Sequence, residues 1–134
     1  MDQVAVIGGG ASGIMAAICA GRQGAQVTVF EAADRIGKTI LATGNGRCNL
    51  SNADIMSSDY NRPDFVQAAM DALPPEEVQL FFSDAGLLAI QEDEGRFYPY
   101  THKAASVLDV LRLCLDEAGV RIRCGLPVRC AVPR

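Results

Sequence analysis

The chain opens with VAVIGGGASG at residues 4–13, an apolar run that leads directly into three consecutive glycines and a fourth. This run predicts a short buried strand, a tight turn and an apolar helix that begins near Ser12. Gly8, Gly10 and Gly13 fill the glycine positions of the G-x-G-x-x-G pattern of dinucleotide-binding turns. Gly8 lets the chain turn sharply, Gly10 leaves room for a pyrophosphate, and Gly13 lets the helix lie close to the strand.

The sequence after this turn supports the same interpretation. Gly21 and Gly24 end the helix, and QVTVFE at residues 26–31 is a second β-rich run. Glu31 closes that run 18 positions after Gly13, where a carboxylate can accept both hydroxyls of an adenosine ribose. Its charge would repel a ribose 2′-phosphate, which favours FAD or NAD over NADP. The alternative is a β-α-β unit with a tight turn and no ligand.

Size and composition fit about one domain with a core. The chain has 134 residues, of which 49% are hydrophobic, and a formal net charge of −4. The negative charge and the lack of Lys/Arg clusters argue against nucleic acid or an anionic membrane as the main partner. No apolar run is long enough to span a bilayer, and the first residues lack the basic region of a signal peptide. We therefore expect a cytoplasmic protein.

The cysteines are five in number, with no C-x-x-C pair, which predicts free thiols in an intracellular chain. Cys19 and Cys114 lie on predicted helix faces among apolar neighbours and are expected in the core. His102 is the only histidine and has no cysteine or carboxylate cluster that would complete a metal site.

The remaining elements follow from periodicity and from helix-ending residues. Residues 39–52 hold too many glycine, asparagine and serine residues for a regular element and predict an ordered, ligand-facing loop. Helices are expected over 64–73, over 76–85, and from an N-cap at Thr101 to Ala118. Strands are expected over 87–91 and 96–98, joined by a solvated acidic tip at 92–95, over 120–124, and from Val128 to Val132.

Three stretches together resemble one family. They are residues 6–17, the loop with GK at 37–38 and TGNGRCNLSN at 43–52, and GRFYP at 95–99 followed by KA at 103–104. They are similar to the NAD(P)/FAD-dependent oxidoreductases, the aminoacetone-oxidase-like or BaiN-like bacterial flavoproteins. The GNGRCNLSN run is far more specific than the glycine pattern, and the match covers essentially the whole chain in order.

The resemblance implies an α/β, Rossmann-like FAD-binding domain of the two-dinucleotide-binding flavoprotein type over residues 1–134, incomplete at its C-terminus. An inserted substrate domain and a C-terminal flavin-binding segment would lie beyond Arg134. FAD would be the cofactor, NAD(P)H a transient electron donor, and the substrate a small molecule.

The same resemblance assigns the cofactor contacts. The first glycine turn would meet the pyrophosphate, the acid after the second strand the ribose, the loop after it the flavin end, and the last strand the adenine edge. The residues so assigned are Gly8, Gly10, Ala11, Ser12, Gly13, Glu31, Ala32, Lys38, Thr43, Gly44, Gly46, Arg47, Cys48, Asn49 and Val128. It assigns no catalytic residue and no metal ligand.

Individual residues of the loop have two interpretations each. Arg47 either places a positive charge near the pyrophosphate or the reduced flavin, or braces its own loop. Cys48 is expected to pack and shape the loop, because no resolving thiol lies nearby in sequence. Asn45 and Asn49 are expected to satisfy loop backbone groups or adopt left-handed turns. For His102 a structural role is favoured over proton transfer.

We interpret the chain as the N-terminal FAD-binding portion of a flavin-dependent oxidoreductase, inactive by itself. One alternative is an NAD-binding dehydrogenase half, which would look the same up to Glu31 but lacks a long glycine loop after it. The other is a non-enzymatic binding module of the flavoprotein fold, in which the phosphate turn is typically eroded.

Overall fold

The computed structural model describes residues 1–132, and the chain divides into two compact units. The first unit comprises Met1–Leu41 and the residues from Leu111 onward, and the second unit is Ala42–Val110. No helix among the described residues is both long enough and apolar enough to cross a lipid bilayer.

The first unit is built on a parallel sheet. Strands β1 (Gln3–Ile7), β2 (Gln26–Phe30) and β6 (Arg121–Arg123) pair in the order β1-β2-β6. Helix α1 (Ala11–Arg22) connects β1 to β2 and packs against both. This β-α-β unit with parallel strands was predicted from residues 4–31 and is confirmed. The fully buried side chains here include Ile14, Ile18, Val27 and Val29 of α1 and β2, and Leu115 of the last helix.

The prediction of a buried β1 is wrong for one of its two faces. Val4 and Val6 are half-buried, whereas Ala5 and Ile7 are exposed, Ile7 to 61%. Alternate side chains of a strand point to opposite faces, so α1 covers only one row. The other row, with Thr28 of β2 opposite Ala5, lines an open surface depression of the sheet.

The second unit combines helices with an antiparallel sheet. Helices α3 (Pro63–Ala72) and α4 (Pro75–Asp84) each begin with a proline. Proline suits the first helical position because an N–H at that position would have no acceptor within the helix. Strands β3 (Ser51–Asn52), β4 (Ala89–Gln91) and β5 (Arg96–Pro99) pair in the order β3-β5-β4. The two predicted helices and the predicted hairpin are confirmed.

Residues 39–52 are more regular than predicted. Helix α2 (Lys38–Ala42) and a 3₁₀ turn (Thr43–Gly46) occupy their first half, and β3 ends them. The prediction was wrong because the glycine and asparagine residues begin only after Ala42. The KTILA segment before them forms a helical turn that buries Ile40.

The last helix, α5 (Ala104–Glu117), starts later than predicted. Thr101 is not its N-cap: the Thr101 Oγ1 accepts from the backbone N–H of Lys103 at 3.3 Å and lies 2.7 Å from the Ser106 Oγ. His102 has a φ of 53°, in the left-handed region, which keeps the chain out of the helix at that point.

Two further predictions are wrong. Residues 128–132 form no strand and pair with none in the described chain; Pro127, which has no N–H to donate to a ladder, precedes them. Cys19 is exposed rather than in the core, while Cys114 is buried as predicted. Since α1 consists of apolar and small residues except for Ser12 and Arg22, periodicity did not distinguish its buried face from its exposed one.

Candidate functional site

The turn between β1 and α1 needs two of its glycines for steric reasons. Gly8 has a φ of 99°, which side-chain-bearing residues rarely adopt. A Cβ on Gly13 would lie 1.9 Å from the carbonyl oxygen of Gly8, so the helix can approach the strand only without that atom. Both glycines therefore perform the steric tasks predicted from their spacing.

Gly10 is different, because the protein itself leaves room for a side chain there. The φ of Gly10 is −80°, which any residue can adopt. The atom nearest to a Cβ added at this position would be the Thr39 Oγ1, at 3.5 Å. That distance is an ordinary van der Waals contact. The absence of a Cβ at Gly10 thus has no explanation in the packing of the described residues and agrees with room kept for a ligand.

Gly9 is a site residue that the sequence analysis missed. A Cβ on Gly9 would lie 2.5 Å from the Ile36 Cγ2 and 3.1 Å from the Glu31 Oε2. Its backbone N–H donates to that same oxygen at 2.6 Å. The signal was available, since Gly9 makes an uninterrupted glycine triplet, but the G-x-G-x-x-G pattern accepts any residue at this position.

Glu31 lies directly after β2 with both carboxylate oxygens engaged by backbone. Besides the Gly9 contact, its Oε1 accepts from the N–H of Ala33 at 2.7 Å. The N–H of Ala33, then that of Gly9, and to a smaller extent that of Ala32 hold the pKa of Glu31 below its ordinary value. An ionised carboxylate has about four lone-pair positions, so each oxygen can accept a further donor such as a hydroxyl.

The N-terminus of α1 supplies donors beside this carboxylate. The first helical hydrogen bond runs from the N–H of Ile14 to the carbonyl oxygen of Gly10 at 2.9 Å. The N–H groups of Ala11, Ser12 and Gly13 precede it and have no acceptor among the described residues. Together with the positive end of the helix dipole, such amides form a binding site for anions.

The other predicted contacts of the first unit, Ala32, Lys38 and Val128, are exposed. Lys38 pairs with Asp34, with 2.7 Å between the Lys38 Nζ and the Asp34 Oδ1, on the exposed surface. Ala32 is exposed next to Glu31. Val128 is 40% exposed and lies in an irregular segment. It therefore does not belong to the final strand from which its backbone was predicted to contact the adenine.

The remaining predicted contacts lie in the second unit, in a loop over Thr43–Asn49. Left-handed φ angles occur at Gly44, Asn45, Gly46 and Cys48, with values from 54° to 83°. The turn is closed by hydrogen bonds of 3.1 Å from the N–H of Arg47 to the Gly44 oxygen and from that of Cys48 to the Thr43 oxygen. The left-handed turn expected at Asn45 is confirmed.

Arg47 is tied to the hairpin of the same unit. Its Nη2 lies 2.5 Å from the Glu92 Oε2, and its guanidinium carbon lies 3.8 Å from the centre of the Tyr98 ring. The hydrogen bond to Glu92 is the main cause of a raised pKa for Arg47, which stays charged. Glu92 is only 26% exposed, so the prediction of a solvated acidic tip is wrong for this residue, although Asp93 and Glu94 are exposed.

Cys48 and Asn49 shape the loop, as expected. Cys48 is 7% exposed, and burial raises the pKa of its thiol, which leaves it protonated and weakly nucleophilic at neutral pH. In the orientation of its side-chain amide that satisfies both groups, the Asn49 Nδ2 donates to the carbonyl oxygens of Ser51 at 2.9 Å and Phe97 at 3.1 Å.

An open cleft of about 330 Å³ adjoins this loop in the second unit. None of the side chains that line it carries a charge. They are Asn49, Leu50, Ser51, Asn52, Ile55, Tyr60, Met70, Leu73, Pro75 and Val78.

A parallel β-α-β unit, a glycine turn at a helix N-terminus and an acid after the second strand define the first unit as a Rossmann-like dinucleotide-binding fold. The chain belongs to the family described as the HI0933-like protein Rossmann domain, which matches residues 2–131. The resemblance to the FAD-dependent oxidoreductases is thereby confirmed.

Curated relatives of the chain are much longer than it is. The 3-dehydro-bile acid delta(4,6)-reductase of Clostridium scindens is 42% identical over 132 residues, which cover 96% of this chain and 32% of the relative. The ribosomal RNA dihydrouridine synthase of Haemophilus influenzae is 27% identical over 119 residues, covering 87% of this chain and 29% of the relative. The chain thus spans about a third of the length of these relatives.

Solved structures share the fold at low identity. THI4 of Thermovibrio ammonificans superposes with a TM-score of 0.62 at 18% identity, over 92% of this chain and 38% of the other. The 3-ketosteroid-delta4-(5alpha)-dehydrogenase of Rhodococcus jostii gives a TM-score of 0.58 at 17% identity, with the same coverage. These similarities confirm a Rossmann-like α/β architecture.

Proposed function

We propose that this chain binds the ADP part of FAD within a flavin-dependent oxidoreductase. The observation that carries the proposal is the ionised Glu31 carboxylate, held by the N–H groups of Gly9 and Ala33 beside the open N-terminus of α1. A carboxylate that accepts hydrogen bonds from hydroxyls complements an adenosine ribose. A row of backbone N–H groups that donates to anions complements a pyrophosphate.

Steric observations on the glycines of the first unit support this proposal. Gly10 leaves space that a Cβ would fill, while Gly8 and Gly13 are required by the protein's own backbone. Amides of Ala11 and Ser12 would face the pyrophosphate, and Glu31 would hold the ribose hydroxyls. Bound FAD would supply two-electron redox chemistry, while the chain fixes its position and excludes a ribose 2′-phosphate by charge.

The other cofactor contacts remain predictions from the family resemblance. They are Ala32, Lys38, Thr43, Gly44, Gly46, Arg47, Cys48, Asn49 and Val128. Support for the loop Thr43–Asn49 comes from its left-handed backbone, which is closed into a turn by hydrogen bonds from the N–H groups of Arg47 and Cys48.

We also propose NAD(P)H as the transient electron donor and a small organic molecule as the substrate. The two curated relatives are named for a bile acid and for ribosomal RNA, which are substrates of different classes. The net charge of −4 favours the small molecule, because binding of RNA relies on basic surface. In the natural full-length protein, reduced flavin should be reoxidised by an unsaturated 3-keto bile acid and not by ribosomal RNA; the reverse result would assign an RNA substrate.

The cofactor is tested by purifying the natural full-length protein, releasing any bound nucleotide by heat, and identifying it by absorbance and mass. FAD is the expected result. Bound NAD without flavin would instead indicate the dehydrogenase alternative, and a protein that neither carries nor takes up a nucleotide would indicate a non-enzymatic binding module. Localisation in the cytoplasm stays a prediction.

A further inference from the structure

Glu92 joins two segments that are distant along the chain. Its Oε2 lies 2.5 Å from the Arg47 Nη2, although the two residues are separated by 45 positions. Its Oε1 lies 3.2 Å from the Nδ1 of His102, just before α5. One carboxylate at the tip of the β4–β5 hairpin therefore contacts both the loop Thr43–Asn49 and the chain that leads into α5.

The ring of Tyr98 also contacts this loop. Tyr98 is 6% exposed and lies in β5. The guanidinium of Arg47 lies over its face, and a Cβ on Gly44 would be 3.3 Å from its Cε1. The loop thus packs against one buried ring through both its backbone at Gly44 and the Arg47 side chain.

We propose that Glu92 is a positioning residue that locks the loop Thr43–Asn49 in place through Arg47, and that Arg47 serves as a brace rather than as a charge offered to the cofactor. This deepens the proposed function and rests on it, since the loop is predicted to contact the flavin. The positive charge of Arg47 is compensated by Glu92, and one face of its guanidinium lies against the Tyr98 ring.

The brace and the charge hypotheses differ in what a lysine at position 47 would do. Lysine keeps the positive charge but lacks the planar, forked guanidinium that stacks on Tyr98 while donating to Glu92. A brace is therefore lost in Arg47→Lys as it is in Arg47→Met. A charge that acts on the cofactor is retained in Arg47→Lys and lost only in Arg47→Met.

The amides of Arg47 and Cys48 report directly on this lock, because their hydrogen bonds close the turn. Hydrogen exchange over residues 43–49 should become about tenfold faster in Glu92→Gln and in Arg47→Lys, a size typical of a partly buried ion pair combined with a cation–π contact. Combining the two substitutions should accelerate exchange little further, because both remove one interaction.

The same hairpin offers matched controls. Arg96 and Glu94 form an exposed pair, with 3.1 Å between the Arg96 Nη2 and the Glu94 Oε2. The substitutions Arg96→Lys and Glu94→Gln repeat the chemical changes without touching the loop. Neither should alter exchange over residues 43–49.

Exchange and FAD affinity are measured in parallel on the natural full-length protein. We expect Glu92→Gln and Arg47→Lys to accelerate exchange and to weaken FAD binding together. Unchanged exchange in both variants would overturn the positioning role, and so would an Arg47→Lys variant that keeps FAD affinity while Arg47→Met loses it. If the unsubstituted protein did not bind FAD, the proposed function would fail, yet exchange would still decide whether Glu92 locks the loop.

Discussion

The backbone N–H of Gly9 donates to the Oε2 of Glu31 across 2.6 Å, so the acid after β2 also fixes the glycine turn after β1. The second oxygen of the same carboxylate accepts from Ala33 at 2.7 Å. Glu31 therefore joins the ends of two neighbouring parallel strands through hydrogen bonds within the chain. Its expected role toward a ribose and its role in the turn are coupled, and substitutions there should affect both.

Glu31→Gln should lower the free energy of unfolding by about 1–2 kcal/mol. A glutamine amide has a single acceptor oxygen, so the N–H of either Gly9 or Ala33 would face an NH₂ group instead of an acceptor. FAD affinity should fall as well, because the turn and the ribose contact are both weakened. Chemical denaturation and flavin fluorescence titration measure the two effects.

The control for this substitution is Asp34→Asn. Asp34 is an exposed carboxylate nearby that forms an ion pair with Lys38, and its loss should leave the free energy of unfolding nearly unchanged. Equal stability of the Glu31→Gln and unsubstituted proteins would mean that the two backbone contacts do not hold the turn.

The contribution of Glu31 to stability should depend on pH in a defined direction. Its pKa in the folded chain is lowered from the ordinary value of 4.5, first by the Ala33 N–H and then by the Gly9 N–H. Stabilisation from ionised Glu31 is thus fully present above pH 4.5 and is lost as the pH falls below that value through the folded pKa. The difference in unfolding free energy between the unsubstituted and Glu31→Gln proteins should be constant near neutrality and shrink in acid. A difference that grew on acidification would contradict a lowered pKa of Glu31 in the folded protein.

Gly13→Ala should destabilise the protein by about 3 kcal/mol or more, because the new methyl group would lie 1.9 Å from the carbonyl oxygen of Gly8. Relief requires α1 to move away from β1. Ser12→Ala, an exposed change in the same helical turn, should alter stability by less than about 0.5 kcal/mol. Thermal denaturation of both variants checks the steric role of Gly13, which a near-native melting temperature for Gly13→Ala would refute.

Cys48 should resist alkylation in the folded protein. Burial raises the pKa of its thiol and covers it, whereas Cys19 and Cys130 are exposed. We expect iodoacetamide at neutral pH to modify Cys48 at least about tenfold more slowly than the two exposed thiols, as followed by peptide mass analysis. Labelling of Cys48 as fast as Cys19 would indicate a reactive thiol and reopen a catalytic role.

The sequence was sufficient to predict the β-α-β unit and the outline of its site, because these depend on local patterns. Strand periodicity, glycine spacing and a terminal acid each act within a few residues of the turn. The need for glycine at position 9 was not predictable from the sequence, because it is imposed by Ile36 and Glu31, which approach Gly9 only in the folded chain.

Features that depend on tertiary pairing were not predictable in the same way. The contact between Arg47 and Glu92 joins residues 45 positions apart, and no sequence period specifies it. The exposure of Cys19 follows from which side of an apolar helix faces the sheet. The strand expected at Val128 required a pairing partner that the described residues do not provide, since alternation alone cannot supply one.

The central claim is that the amides after Gly10 and the Glu31 carboxylate bind the ADP part of FAD. Titration of FAD into the flavin-free, natural full-length protein and its Gly10→Ala variant tests it most directly. Gly10 tolerates a Cβ at 3.5 Å from its nearest neighbour, so the variant should fold with a loss of stability under about 1 kcal/mol. Its FAD affinity should nevertheless fall at least about tenfold, because the methyl group occupies the approach of the pyrophosphate. A folded Gly10→Ala protein that binds FAD as tightly as the unsubstituted one would contradict the account.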